Sequence, residues 1–167
     1  AIEWSKSKTG VAWSTIALES PRFDFTDTNY YEATMGADLR KTFFAYEELL
    51  DPARLPDFKR QTNLWEEEYA GQAEHPEARP LNLDPGYISE AKLVLASTKD
   101  HSHRIYLRDG IYAEVTLHFQ SKRWQSSRWT YPDSQREDFQ EFFSQCREYV
   151  KMIRRREADS DSASPTG

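Results

Sequence analysis

The 167-residue chain has a single cysteine, Cys146. No disulfide can form within it, and the fold must be held by its core. One lone cysteine fits a reducing, cytoplasmic compartment. No apolar run approaches the ~20 residues of a membrane-spanning helix, and no signal peptide is visible, so a membrane protein is not expected. The chain lacks a G-x-x-x-x-G-K-[ST] loop, the usual device for wrapping phosphates. It is also short of positive charge: 22 Lys and Arg stand against 28 Asp and Glu, a formal net charge of −6. That balance offers no broad positive field, so a nucleic-acid partner is not expected. The one dense basic run, Arg154-Arg155-Arg156, closes a predicted helix, where it suits the helix dipole without any partner. The chain opens on Ala1 rather than Met and reads as a fragment or a processed product.

What the chain does have is aromatic side chains, 14% of residues, a share that disordered sequences lack. At this length one domain with a real core is the natural reading. We expect it over residues 1–156, followed by a disordered Ser/Asp/Pro/Gly tail at 157–167.

Residues 1–13 are ambiguous, with Trp4 and Trp13 flanking the end of a helix or a polar stretch. Ile16, Leu18 and Pro21–Phe25 suggest short extended pieces, and Thr26–Gly36 a loop. Leu39, Phe43, Tyr46 and Leu50 recur at helical spacing and predict a helix. Asp51-Pro52 ends it and starts a second helix carrying Leu55, Phe58, Trp65 and Tyr69, with Gly71 as its end. The Glu66-Glu67-Glu68 run reads as a solvated face. Residues 80–83 predict a short strand, and Asp84-Pro85-Gly86 a turn. Ser89–Thr98 predicts a helix, although Leu93-Val94-Leu95 alone fits a strand. A β-hairpin follows from His101 to Phe119. A three-residue loop Arg108-Asp109-Gly110 would pair Leu107 with Ile111 and gather His103, Ile105, Leu107, Ile111, Ala113, Val115 and Leu117 on one apolar face. A third strand is placed near Lys122–Gln125. Ser134-x-x-Glu137 predicts a capping box for a last helix with Phe139, Phe142, Phe143, Cys146, Tyr149, Val150 and Ile153 inward.

Several segments carry a resemblance: Phe23–Asp27, Asn82–Tyr87, Lys92–Ser97, His103–Leu107, Gly110–Leu117 and Trp129–Asp133. Together, in this order, they resemble the bacterial domain of unknown function 4416 family over about residues 16–150. The resemblance implies a strand and most of a helix ahead of Ala1, so an N-terminal strand is expected to be missing. It implies no activity, since the family has none established.

Four groups could carry chemistry. The polar face of the hairpin sets Arg104 opposite Glu114 and Tyr106 opposite Tyr112. An arginine fork suits phosphate or carboxylate, the tyrosines supply stacking area and hydroxyls, and Glu114 could orient Arg104 or act as base. The bland alternative is a solvated sheet surface with a cross-strand ion pair. His101-x-His103 puts two imidazoles on one side of an extended segment, as metal ligands would be, but His103 also suits a structural role. Asp24 and Asp27 could bind a cation or cap turns. Asn82–Tyr87 precedes a predicted helix whose N-terminus would suit a phosphate, although Asp84 opposes an anion there. Cys146 belongs to the core stripe, and Trp124 and Trp129 form either a satellite cluster or a stacking surface for single strands.

The expected fold is α+β: two layers, a mainly antiparallel sheet with helices packed on one face. The expected function is binding of a small phosphate- or carboxylate-bearing ligand, a nucleotide being one example. Arg104 would clamp it, Glu114 would be catalytic if there is a reaction, and Tyr106, Tyr112, Asp24, Asp27 and Asp84 would line the pocket. The alternatives are a metal-dependent hydrolase built on His101 and His103, and a non-catalytic interaction module with a free sheet edge. No cofactor can be assigned from these residues.

Overall fold

The computed structural model describes residues 1–26, 31–72, 75–130 and 132–162. The chain divides into two compact units, Ala1–Tyr87 with Leu95–Glu114, and Ile88–Val94 with Val115–Gly167. Helices and antiparallel strand pairs make the class α+β. Among the described residues no helix is long and apolar enough to cross a membrane.

In unit 1 the ambiguous start is helix α1, Ile2–Ala12, which buries Ser5 and Thr9 rather than apolar residues. Both hydroxyls donate to carbonyls four residues back, Ser5 to Ala1 at 3.0 Å and Thr9 to Ser5 at 2.8 Å. Self-satisfied hydroxyls can be buried at little cost. The expected extended pieces are strands β1 (Ile16–Glu19) and β2 (Phe23–Asp24). A short helix α2, Glu32–Met35, lies within the segment expected as loop, and Asp27 falls outside the described residues.

The helix expected over residues 39–50 does not form. The segment is β3 (Arg40–Lys41), paired antiparallel with β2, and β4 (Phe44–Tyr46), paired antiparallel with β1. Its apolar residues form a short aromatic run, Phe43-Phe44-Ala45-Tyr46, whose apparent helical spacing is coincidental. Aromatic residues fit a pleated surface, and runs this short are ambiguous by period alone. Asp51 then accepts from the Ala53 N–H at 2.9 Å and caps a 3-10 turn at Pro52–Arg54. Helix α3, Leu55–Ala70, follows and ends at Gly71 as expected. Its buried face holds Leu55, Phe58, Trp65 and Tyr69, together with Lys59 and Thr62. Each large apolar side chain buried there contributes about 1.5–3 kcal/mol.

Residues 80–83 are not a strand, and Gly86, expected to complete a turn, instead starts β5, Gly86–Ile88. The expected helix at 89–98 is strand β6, Lys92–Ser97, in line with the alternative for Leu93–Leu95. A short buried apolar run bounded by turns is strand-like. With β7 (Ile105–Arg108), β8 (Ile111–Gln120) and β9 (Arg123–Ser126), the order is β5-β6-β8-β7, with β9 also on β8.

The hairpin departs from expectation at its tip and returns to it. Asp109 and Gly110 both have positive φ, 55° and 75°, and form a two-residue turn that sets Arg108 opposite Ile111. A left-handed pair with Gly second matches the twist of a hairpin. A bulge at Leu107 then restores the anticipated register, Tyr106 opposite Tyr112 and Ile105 opposite Ala113. The buried face of the hairpin differs in part from the apolar face expected. Ile111 and Leu117 are buried, but Ile105 is 69% exposed and Val115 is exposed too, while Glu114 and Thr116 are buried. Glu114 can be buried because the Arg104 guanidinium and the His103 imidazole meet it, as described below.

In unit 2, β9 pairs with β8, with Gln120 opposite Arg123 at one end and Leu117 opposite Ser126 at the other, the third strand anticipated. Helix α4 spans Glu137–Ser162 and buries Phe139, Phe142, Phe143, Cys146 and Val150. Trp124 Nε1 donates to Ser144 Oγ at 3.2 Å, tying β9 to α4, and the Arg147 guanidinium lies 3.7 Å over the Phe119 ring. Ser134 sits inside a 3-10 turn, Pro132–Gln135, rather than at the helix edge, so the capping box is not made. The helix also runs past residue 157, where a tail was expected.

Candidate functional site

Unit 1 holds two buried polar clusters. The first lies at the base of the hairpin. A turn closed by Arg104 N–H to His101 O at 2.9 Å brings His103 and Arg104 back onto Glu114. Glu114 Oε2 accepts from Arg104 Nε at 2.9 Å and lies 3.1 Å from His103 Nε2. The Arg104 side chain is 4% exposed and that of Glu114 7%. Arg104 Nη1 also donates to Ser97 Oγ at 2.8 Å and to Lys99 O at 3.1 Å. The Nε and Nη1 donors of Arg104, expected to clamp an anion, are thus used within the protein. Glu114, the expected catalytic residue, presents Oε2 as the atom shared by Arg104 and His103. A carboxylate removed from water persists only when paired and hydrogen-bonded, and Arg104 with His103 supplies that pairing.

Tyr106 and Tyr112 meet as anticipated, ring centroids 5.3 Å apart and nearly perpendicular. Desolvation, then the charge and hydrogen bond of Asp100, and then Tyr106 raise the Tyr112 hydroxyl above its ordinary pKa. The imidazoles of His101 and His103 are stacked, 5.9 Å apart and within 8° of parallel. Among the described residues no group of three His, Cys, Asp or Glu could hold a metal ion.

The second cluster ties Asn82–Asp84 to α3. Lys59 Nζ donates to Leu83 O at 2.8 Å and to Asp84 Oδ1 at 3.1 Å. Glu66 Oε1 accepts from Leu83 N–H at 2.7 Å. Both backbone groups of Leu83 are therefore satisfied by side chains of α3, in place of the strand ladder expected there. Arg79 donates to Glu66 Oε2 at 3.1 Å and to Asn82, and Asn82 Nδ2 donates to Asp84 Oδ2 at 2.6 Å. The Lys59 side chain is 7% exposed and that of Asp84 50%. Withdrawal from water pushes the Asp84 carboxyl up. The charge of Lys59, hydrogen bonds from Asn82 and Lys59, and the charge of Lys41 outweigh it and hold the pKa below its ordinary value.

The clusters adjoin. Ala96 N–H donates to Pro85 O at 3.0 Å, so Asp84 leaves the sheet beside Ser97, the residue that accepts from Arg104. Of the remaining expected lining residues, Asp24 is exposed, with Arg40 Nε at 3.5 Å.

Lys59, Glu66, Arg79 and Ser97 escaped the sequence reading. A signal existed for the first two. Positions 59, 62 and 66 fall on the same side of α3 as Leu55, Phe58, Trp65 and Tyr69, and polar residues inside an apolar stripe mark buried polar contacts. Glu66 is correspondingly not part of a solvated run; its side chain is 13% exposed.

A family model described as Domain of unknown function (DUF4416) matches residues 1–149. No match was found among curated proteins or among solved structures.

Proposed function

We propose, from the premise that the chain belongs to the DUF4416 family and that this family's function is unknown, that unit 1 binds a small phosphate- or carboxylate-bearing molecule at the hairpin base. In this reading the protein works in a reducing, cytoplasmic setting, as its lone cysteine suggests. His103, with His101 stacked on it, meets the anion. Glu114 and Arg104 are positioning residues. The observation that supports this is one buried carboxylate shared by the Arg104 guanidinium and the His103 imidazole. When His103 is protonated, the cluster carries one more positive than negative charge, in a place where water screens poorly. Asp100 on the Tyr112 side sets the limit of that positive region.

A thermal-shift screen against nucleotides, sugar phosphates, carboxylates and inorganic phosphate tests it. A ligand at about 100 times its Kd adds roughly 2.7 kcal/mol to stability, and the shift should vanish in His103→Ala. The proposal is abandoned if no compound of these classes raises the Tm of protein shown folded by circular dichroism.

A second reading draws on β7, which ends the strand order and has all four residues exposed. Exposed Ile105, Tyr106 and Leu107 on an edge strand suit pairing with a strand of a second copy. Sedimentation would then show association that Ile105→Lys abolishes. A monomer at every concentration removes this reading.

A further inference from the structure

The Asp84 cluster goes beyond what an anion site needs, and it narrows the ligand. Resting on the reading above, we infer that Asp84 is the part of the same site that accepts ligand hydroxyls, so the ligand is a phosphorylated polyol, such as a sugar phosphate or the ribose phosphate of a nucleotide.

Three observations lead there. The first is state. Asp84 is kept ionised by Lys59, Asn82 and Lys41, and an ionised carboxylate only accepts hydrogen bonds. The second is presentation. Lys59 holds Oδ1 and Asn82 holds Oδ2, while half of the side chain stays exposed. A carboxylate has about four acceptor directions, so donors fix it from within and its outward directions face solvent. The third is charge. An outward-facing acceptor recognises a cationic donor such as an ammonium or a neutral donor, of which the hydroxyl is the one a polyol supplies. Lys59, Lys41 and Arg79 around it make an ammonium unfavourable, and the carboxylate itself turns away an anion, which leaves the neutral donor.

Position completes the argument. Asp84 lies beside Ser97 on β6, and β6 neighbours β8, which carries Glu114. Two strand spacings, roughly 10 Å, separate Asp84 from the hairpin cluster. Inorganic phosphate cannot span that distance, whereas a molecule with a phosphate at one end and hydroxyls at the other is built for it. A purely structural Asp84 would tie residues 82–84 to α3 and leave ligand choice unaffected.

The test measures ligand choice. Calorimetric titrations of the intact protein would use ribose 5-phosphate, glucose 6-phosphate and glycerol 3-phosphate, with ethyl phosphate as the hydroxyl-free anion. At least one polyol phosphate should bind about tenfold or more tighter than ethyl phosphate, the scale of losing a hydrogen bond to a charged group. Asp84→Asn should erase that advantage, whereas His103→Ala weakens every phosphate, ethyl phosphate included. If wild-type protein binds ethyl phosphate as tightly as all three polyol phosphates, the inference is wrong and the anion site stands. The inference is equally wrong, with the anion site intact, if Asp84→Asn keeps the advantage. If neither ethyl phosphate nor any polyol phosphate binds, the anion site fails as well. The wild-type selectivity decides the matter even should Asp84→Asn not fold.

Discussion

Unit 2 buries hydrocarbon. Phe139 and Leu117 are fully enclosed, Trp124, Phe142 and Phe143 nearly so, and its buried carboxylate, Asp133, accepts the next backbone N–H. Unit 1 has an aromatic core as well, around Phe58, Trp65 and Tyr69, but it also encloses Lys59, Glu114 and the Arg104 side chain. Apolar burial stabilises in proportion to area. Charge burial costs several kcal/mol per ion and is at best offset by its partners. A domain that needed only to fold could have been built throughout like unit 2. The contrast supports our reading that the site lies in unit 1.

The contrast can be broken by substitution, and the largest effect belongs to unit 2. Phe139→Ala should cost about 3–5 kcal/mol, read from the urea midpoint at constant slope; a loss below about 1 kcal/mol would show that the core had been misidentified. Glu114→Ala in unit 1 should cost a comparable ~3–5 kcal/mol, since it strands Arg104 and His103. Here the two units should diverge. Adding Arg104→Met to Glu114→Leu should recover part of the loss, whereas Phe142→Ala added to Phe139→Ala only deepens it. If the arginine and glutamate losses simply add, the buried pair is not a coupled unit.

Lys59→Met should cost about 1.5–3 kcal/mol, because Leu83 O and Asp84 lose a charged donor. Urea denaturation measures it, and a neutral result would mean that water replaces the ammonium. Smaller is the pH effect at Asp84. Its folded pKa is depressed, so its contribution is present above the unfolded value of about 4 and is lost as pH falls through the folded value. Asp84→Asn should therefore flatten the acid limb of the stability curve and leave the alkaline limb alone. The smallest effect is chemical. Burial pushes the Cys146 thiol up to about 12, so a thiol reagent at pH 8 should label it only after denaturation. Rapid labelling of the native protein would show that α4 opens there.

Much of unit 2 was legible in sequence, because long-period apolar patterns are hard to misread. The stripe from Phe139 to Ile153 specifies one helix face, and α4 follows it. Unit 1 was legible only in part. Short aromatic runs such as Phe43–Tyr46 fit helix and strand alike, and their partners, Ile16–Glu19 for β4, lie far off in sequence. In the hairpin the alternation gave Tyr106 opposite Tyr112 correctly, but not which face is buried, since that depended on a turn at 101–104 delivering a guanidinium and an imidazole to Glu114. Arg104 and Glu114 were found as a pair; that they are spent on each other is a matter of distance, which spacing cannot supply. Lys59 and Glu66 were hidden because a charged residue on a helix is normally a solvated one.

Those two residues have a further consequence. Lys59 and Glu66 are seven residues apart, two turns and roughly 10 Å along α3, and they grip one residue, Leu83, one at its carbonyl and the other at its N–H. The helix thus serves as a gauge for the 82–84 segment, and what it transmits is phase. A residue inserted between 59 and 66 would turn one grip about 100° away from the other while leaving the helix itself continuous. The outward face of α3 can drift freely in sequence, but its length between these two positions cannot change without letting go of Asp84.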